Sequence, residues 1–214
     1  LISIIGILPF VATLATLTML SGAAFVVSGG KTISGRAIPE SFGNFAREGL
    51  ALGEWGGVSV TLPNLTIVAL AVVTLIWVLL EHTTFGRRLY AIGGNIEAAH
   101  LSGVAVRKLK VIAFALTGST AALAGILYAS RVASANPTQG SGLMLNAIAA
   151  VFLGSTLSEH GEPRLLFTIV GVLVLGVLDN GLTQMSVDSY VRQILVGGII
   201  ILAVSTSAYM RRLR

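Results

Sequence analysis

The sequence predicts an all-α membrane protein, a polytopic bundle of about six transmembrane helices with one further short helix on the cytoplasmic side. Two observations support this fold class. Of the 214 residues, 54% are hydrophobic and 11% are charged, whereas a soluble domain carries about 25% charged residues. The charges are also spaced so that they leave long uncharged runs, and about 20 apolar residues suffice to cross the hydrocarbon core. A soluble enzyme is therefore disfavoured.

The uncharged runs locate the spans in order. We predict membrane spans at residues 4–27, 65–80, 111–128, 143–157, 165–178 and 194–209. Four of them are dense in Leu, Ile, Val and Ala. The fourth and fifth are short, but leaving two apolar stretches in water would cost more than packing short helices inside a bundle, so we count both as spans.

The distribution of Lys and Arg orients these spans. Basic residues cluster in residues 82–110 and at 211–214, whereas residues 29–60 balance basic and acidic side chains. Short basic segments stay in the cytoplasm. We therefore expect a multi-pass protein with the 82–110 loop and the C-terminus inside and the 29–60 loop outside.

Residue types that carry chemistry are scarce. The chain has no cysteine, so thiolate chemistry is excluded. His82, His100 and His160 are not at a metal-ligand spacing. Residues 28–32 resemble the end of a phosphate-binding loop, but Phe25 stands where that loop needs glycine. We predict no catalytic residue, no metal site and no ATP site in this chain.

The 82–110 loop contains one ordered local pattern. Gly93-Gly94-Asn95 predicts a turn, and Asn95 is a favourable N-cap for a short helix over 96–101 that Ser102-Gly103 ends. Ala98 and Ala99 should leave a small, nearly flat face with Ile96 and Leu101 exposed beside it. Such a face suits docking into a groove on another protein, and an ordinary connecting loop is the alternative.

Residues 86–104 resemble the coupling-helix region of permeases from ABC sugar importers, the ribose, xylose, arabinose and autoinducer-2 group. Further blocks at 122–126, 135–142, 146–151 and 180–182 resemble the same family in the same order, so the likeness covers nearly the whole chain. The resemblance implies a single permease domain over residues 1–214, in a bacterial inner membrane, that lacks the family's first spans.

The resemblance implies a function and a set of partners. The chain would be the permease subunit of an ATP-driven importer, forming the pathway for a ribose-type monosaccharide or a related sugar. Its partners would be cytoplasmic ABC ATP-binding subunits, a second permease subunit in a homodimer or heterodimer, a periplasmic substrate-binding protein and the lipid bilayer, with no nucleic acid. This subunit would bind no cofactor, because ATP and Mg belong to the partner ATPase.

The resemblance also assigns the residues that couple to the ATPase. They are Gly86, Arg87, Gly93, Gly94, Asn95, Glu97, Ala98, Ala99, Leu101, Ser102 and Gly103.

Polar residues in or beside the spans are candidates for the translocation pathway, because an amide or acid in a span tends to face the bundle interior or a water-filled cavity. They are Asn136, Gln139, Asn146, Asp179 and Asn180. Interhelical hydrogen bonding or a solvated helix end is the alternative for each. The family often has an acid at the position of Asn146 and a glycine-rich stretch at residues 155–163, and both departures leave the sugar undefined.

Other transporter classes remain as alternatives. An ABC permease for another solute, such as a branched-chain amino acid or a nucleoside, shares this style of bundle. A secondary transporter without an ATPase usually carries intramembrane acids or broken helices at a coupling site, and here only Asp179 lies near a span end. A purely structural membrane scaffold would not account for the specific pattern of the 82–110 loop.

Overall fold

The computed structural model describes residues 7–35, 38–55, 58–158 and 163–188, and near the C-terminus residues 190–191, 193–195, 197–199, 201–202 and 205. His160, the start of the first predicted span at 4–6, the end of the last at 206–209 and the C-terminal arginines lie outside the described residues. The chain divides into two compact units, Leu1–Gln139 and Gly140–Arg214.

The first unit contains six of the described helices and all of the described strands. The helices are α1 Pro9–Ser28, α2 Glu40–Arg47, α3 Asn64–Glu81, α4 Thr84–Gly94, α5 Ile96–Leu101 and α6 Val106–Val132. The strands are β1 Ile33–Ser34, β2 Gly49–Trp55, β3 Val58–Pro63 and β4 Ser134–Ala135. The second unit contains α7 Leu143–Ser155 and α8 Leu165–Gln184.

The described elements confirm the predicted all-α class. Among them, α1, α3, α6 and α8 are long and apolar enough to cross a membrane, and they coincide with four predicted spans. Helices α6 and α8 extend beyond the predicted limits of 111–128 and 165–178. Many apolar side chains on these helices are exposed, as expected of surfaces that lipid rather than protein covers.

The other two predicted spans, 143–157 and 194–209, are not confirmed as membrane-crossing helices. Helix α7 coincides with the predicted span 143–157 but has 13 residues, and at 1.5 Å per residue it is about 20 Å long, shorter than the hydrocarbon core of about 30 Å. The described residues between 190 and 205 are helical. The number of six spans therefore stays a prediction.

The second unit is a closely packed helical hairpin. A Cβ atom added to Gly154 would overlap the backbone of Phe167, and one added to Gly171 would overlap the carbonyl of Ala150. Ala149 and Ala150 of α7 are also buried. Small residues therefore let the backbones of α7 and α8 touch, which is how helices gain dispersion contacts where no hydrophobic effect drives them together.

One structure in the 29–60 loop was not predicted. Strands β2 and β3 form an antiparallel hairpin that pairs Gly49 with Pro63 and Trp55 with Val58. The sequence signal is weak, because two glycines separate short runs in which β-branched residues are mixed with Gly, Ala and Ser. A two-stranded hairpin is marginal alone, and here it continues directly into α3 at Asn64.

A structure that we call the cap joins the N-terminal end of α3 to the C-terminal end of α6. It consists of the described residues between 32 and 63 together with residues 130–139. Strand β1 pairs with β4, Ile33 with Ala135 and Ser34 with Ser134. The Asn64 Nδ2 donates to the Phe45 carbonyl at 3.1 Å. The cap thereby links the segments that follow α1 and α6 and holds α2 at the start of α3.

Helix α2 is fixed to α6 by a buried hydroxyl. The Ser130 side chain is 1% exposed, and its Oγ donates to the carbonyl of Phe42. A Cβ at Gly43 would lie 3.4 Å from the Cβ of Ala133, an ordinary van der Waals contact. A buried hydroxyl without an acceptor would be destabilising, so this bond favours one position of α2 on α6.

Candidate functional site

The segment that joins α3 to α6, residues 83–105, contains all eleven residues predicted to couple to an ATPase. We call it the corner segment. It begins at Thr83, whose side chain accepts a hydrogen bond from the Gly86 N–H at 3.4 Å and donates to the Leu79 carbonyl. The Thr83 hydroxyl therefore bridges the end of α3 and the start of α4, acting as the N-cap of α4.

Gly86 makes the closest approach in the corner segment. It is buried, and a Cβ atom at this position would overlap the carbonyl and Cα of Leu80. No other residue type fits without moving α4 away from α3. The predicted coupling residue Gly86 is thus a packing residue that sets how tightly the chain turns after α3.

Side chains reinforce the same turn. The Tyr90 hydroxyl donates to the Glu81 carboxylate at 3.4 Å. The rings of Trp77 and His82 lie 4.5 Å apart between centroids and are inclined by 63°, an edge-to-face arrangement that aromatic rings favour. These pairs join α4 and the residue after α3 to the last turns of α3.

Helix α5 has the predicted N-cap and the predicted end. The Asn95 Oδ1 accepts from the backbone N–H groups of Glu97 and Ala98, both at 3.0 Å. At the other end the Ser102 hydroxyl donates to the Ala98 carbonyl at 2.8 Å, and Gly103 follows with a φ of 79°. The short helix over 96–101 is confirmed.

The predicted turn at Gly93-Gly94-Asn95 needs correction. Gly93 and Gly94 are the last residues of α4, and Asn95 alone separates the two helices, with an extended backbone at φ −150°. A glycine pair in a helix loses more backbone entropy than alanine would, which is why the sequence favoured a turn. In the structure the helical hydrogen bonds continue through both glycines, as far as the Asn95 N–H, which donates to the Ala91 carbonyl at 3.1 Å.

The prediction that Ala98 and Ala99 together form one exposed flat face is correct for Ala98 and wrong for Ala99. Ala98 is exposed, but Ala99 is only 5% exposed. Successive residues in a helix are rotated by about 100°, so two neighbours rarely share a face. Ile96 and Leu101 are exposed as predicted, at 46% and 86%. Of the predicted coupling residues, only Gly86 and Ala99 are buried, and the other nine are exposed.

An open groove with a volume of about 890 Å³ lies between α5 and the start of α6. Ile96 and Leu101 contribute to its apolar lining, and His100 also lines it. Ala98 is not among the lining residues. Helix α5 therefore carries two distinct exposed surfaces, one at Ala98 and one in the groove.

Two of the predicted pathway residues belong to the cap and are hydrogen-bonded to each other. The Asn136 Nδ2 donates to the Thr32 hydroxyl at 3.0 Å, and its Oδ1 accepts from the N–H and the hydroxyl of Thr138 at 2.9 and 2.8 Å. The Gln139 Oε1 accepts from the Asn136 N–H at 3.2 Å. The Asn136 amide thus has local structural partners, and its place on a pathway stays a prediction.

The other three pathway residues are in the second unit. Asn146 is exposed in the first turn of α7. Asp179 and Asn180 lie inside α8, which continues to Gln184, so they do not follow the helix as the predicted limit of 178 implied. The Gln184 Nε2 donates to the Asn180 Oδ1 at 3.4 Å. Their pathway role also stays a prediction.

No metal-binding cluster is present among the described residues. They contain no group of three or more His, Asp or Glu residues that could hold a metal ion. Residues 28–32, which resemble a phosphate loop in sequence, begin at the last residue of α1. Gly29, which follows the helix, takes the left-handed conformation and donates its N–H to the Val26 carbonyl. That geometry is a helix C-cap rather than an anion site.

Sequence reasoning missed four structural residues, Thr83, Glu81, Tyr90 and Ser130. Thr83 could have been found as a helix cap from its place before Thr84 and Gly86. The Tyr90–Glu81 pair and the buried Ser130 have no local signal, because each depends on where a second helix packs.

Comparison with known proteins gives one family and several relatives. A family model described as branched-chain amino acid transport system / permease component matches residues 1–204. The ribose import permease protein of Bacillus subtilis (strain 168) is 43% identical over 92% of this chain and 58% of its own length. No solved structure matches the chain.

Two relatives from Escherichia coli (strain K12) give the same result. Its ribose import permease protein is 40% identical over 91% of this chain and 59% of its own length. Its L-arabinose transport system permease protein is 35% identical over 94% of this chain and 58% of its own length. The chain therefore spans somewhat less than two thirds of these curated relatives.

Proposed function

The chain belongs to the branched-chain amino acid transport system / permease component family, and from that membership we propose that it is part of the membrane permease of an ATP-driven sugar importer. It is a multi-pass membrane protein and a transporter subunit rather than an enzyme. The substrate class follows from the relatives, which are named for ribose and L-arabinose. Monosaccharides of this kind are the proposed cargo.

The observation that carries the proposal is the exposed helix α5. It is short, capped at Asn95 by two hydrogen bonds and exposed at Ala98. A helix that is ordered without being buried presents a fixed surface to a partner, since its ordering entropy is already lost before binding. We assign that partner as the cytoplasmic ATP-binding subunit, which holds the ATP and Mg.

The contacts of the corner segment supply a physical route from α5 to the spans. Helix α4 is held against α3 by the Gly86–Leu80 approach and the Tyr90–Glu81 hydrogen bond. After α5, the chain enters α6 through the buried Val106 and Leu109. A displacement of α5 therefore moves the ends of α3 and α6 together.

In this mechanism, closure of the ATP-binding subunits stabilises one arrangement of α5 and opening stabilises the other. The permease then shifts between outward-facing and inward-facing states, as a ligand shifts the populations of a two-state protein. A substrate-binding protein delivers the sugar at the cap end, and a second permease subunit completes the pathway. The corner segment is on the cytoplasmic side in this arrangement.

A branched-chain amino acid permease is the second candidate, favoured by the description of the family model. The two candidates differ in cargo and share the ATPase coupling. An assay that changes only the cargo and keeps the same ATP-binding subunits separates the two candidates.

The test uses the full-length permease reconstituted in lipid with its ATP-binding subunits. ATP hydrolysis is measured with binding proteins loaded with ribose, L-arabinose or leucine. We expect a sugar-loaded binding protein to stimulate hydrolysis and leucine to have no effect. Stimulation by leucine alone would replace the sugar assignment with the second candidate, and a permease that binds no ATPase subunit would overturn the importer proposal.

A further inference from the structure

The groove between α5 and α6 has a strongly basic wall. Arg107, Lys108 and Lys110 line it, and the lining contains a single acid, Glu97. Arg107 and Lys108 are exposed, and the first turn of α6 has no acidic residue. Three formal positive charges thus face one negative charge, so the groove attracts an anion.

The other wall is apolar. Ile96 is 46% exposed and Leu101 is 86% exposed, and both line the groove beside Val104. A free phosphate ion would satisfy the basic wall and leave these side chains in water. A phospholipid satisfies both walls, because its phosphate is joined to glycerol and to the first carbons of its acyl chains.

The position of the groove along α6 fits the same ligand. Helix α6 runs from Val106 to Val132 and is long and apolar enough to cross a membrane, and Lys110 is its last charged residue before Arg131. Arg107 lies four residues before Val111, about 6 Å along the axis. The headgroup layer on each side of the hydrocarbon core is about 5–7 Å thick, so the basic wall is at headgroup depth when α6 spans the core.

We propose that the groove between α5 and α6 is a binding site for an anionic phospholipid, with its phosphate at Arg107 and Lys108 and its glycerol and upper acyl carbons against Ile96 and Leu101. The site uses the surface of α5 that Ala98 does not occupy. Ala98 lies outside the groove, whereas the predicted coupling residues Glu97 and Leu101 line it, so a bound lipid covers Leu101 and leaves Ala98 accessible to the ATP-binding subunit.

The test titrates phosphatidylglycerol into the full-length permease in detergent and counts bound lipid by native mass spectrometry, with phosphatidylcholine as the neutral lipid. Each basic side chain near an anionic lipid surface contributes about fivefold in affinity. We expect phosphatidylglycerol to bind at least about tenfold more tightly than phosphatidylcholine. The double variant Arg107→Gln/Lys108→Gln should lose most of that preference.

The matched control is Arg87→Gln/Arg88→Gln, which removes the same charge from exposed residues of α4 outside the groove lining. We expect it to keep the lipid preference within about twofold. Equal loss in both double variants would mean diffuse attraction and would overturn the site, as would equal affinity for the two lipids.

A second variant separates a lipid from a soluble anion. Leu101→Asn should weaken phosphatidylglycerol binding, and millimolar inorganic phosphate should not displace the lipid. Displacement by phosphate, or unchanged binding to Leu101→Asn, would overturn the lipid assignment. Loss of ATPase association in Arg107→Gln/Lys108→Gln with unchanged lipid binding would make the groove a protein interface instead. Because the titration uses the permease alone, its outcome does not depend on the importer proposal.

Discussion

The corner segment and the cap stand at opposite ends of α3 and are stabilised in different ways. In the corner segment, hydrogen bonds join residues close in the chain: Tyr90 with Glu81, nine positions apart, and Ala98 with Asn95, three apart. In the cap, Asn136 bonds Thr32 across 104 positions and Ser130 bonds Phe42 across 88.

Local contacts in the corner segment and long-range contacts in the cap suit two different roles, presenting a surface to a partner and linking distant helices. Local contacts form at small loop-closure cost, so the corner segment is ordered by its own helix caps and by the adjacent end of α3. Nine of its eleven predicted coupling residues stay exposed for a partner. The cap instead joins distant segments and therefore fixes the ends of α1, α3 and α6 relative to one another. In the proposed importer, the corner segment moves as a unit, and the cap holds the far ends of the helices together.

The largest expected effect is at the tightest contact of the corner segment. Gly86→Ala places a Cβ on the Leu80 backbone and should lower the free energy of unfolding by about 2–3 kcal/mol, as overpacking does. Chemical unfolding in detergent measures it. The control is Gly93→Ala in the same helix, which has nothing within 4 Å and should be neutral or stabilising by up to about 1 kcal/mol. Equal stability of the two variants would contradict the close approach.

A smaller effect is expected at Asn95, the N-cap residue of α5. Asn95→Ala removes the acceptor for the Glu97 and Ala98 N–H groups and should destabilise α5 by about 1 kcal/mol. Hydrogen exchange of the corner segment should then be about fivefold faster. Asn95→Ser, which keeps a capping oxygen, should restore the slow exchange. Fast exchange in both variants would mean that the side-chain hydrogen bonds at the N-cap do not order α5.

The smallest effect is expected at the exposed hydrogen bond of the cap. A double-mutant cycle of Thr32→Val and Asn136→Ala should give a coupling energy of about 0.5–1 kcal/mol in unfolding experiments. Pairing Thr32→Val with Thr117→Val, whose hydroxyl bonds its own helix at Ala113, should be additive. A coupling energy of zero for the first pair would remove the long-range tie that distinguishes the cap from the corner segment.

The same contrast explains how much the sequence could predict. The predicted N-cap at Asn95, the helix over 96–101 and its end at Ser102-Gly103 are confirmed. They could be predicted because the residues that determine them lie within a few positions of one another. The acceptor of the Asn136 side-chain N–H, Thr32, lies 104 positions away, so the sequence showed only a polar residue beside a span. The burial of Ala99 could not be predicted either, because it also depends on a contact outside the local sequence.

Burial of a residue in a short helix depends on which side packs against the rest of the chain. The pattern of α5 is too short to define that side, and so the sequence could not separate the exposed Ala98 from the buried Ala99. The β2–β3 hairpin was missed because its residues favour strands only weakly. The four long apolar helices were predicted at the right places in the sequence, since a helix that crosses lipid needs a long apolar run.

The most direct test of the central claim is Ala98→Glu in the full-length permease expressed with its ATP-binding subunits. Ala98 is exposed in the first turn of α5, where an acid favours the helix, so the variant should keep its yield and its Tm. Co-purification of the ATP-binding subunit should fall at least about tenfold. The control Ala91→Glu, at an exposed residue of α4, should stay within about twofold of the parent. An unchanged association in Ala98→Glu would contradict the assignment of α5 as the surface that binds the ATPase.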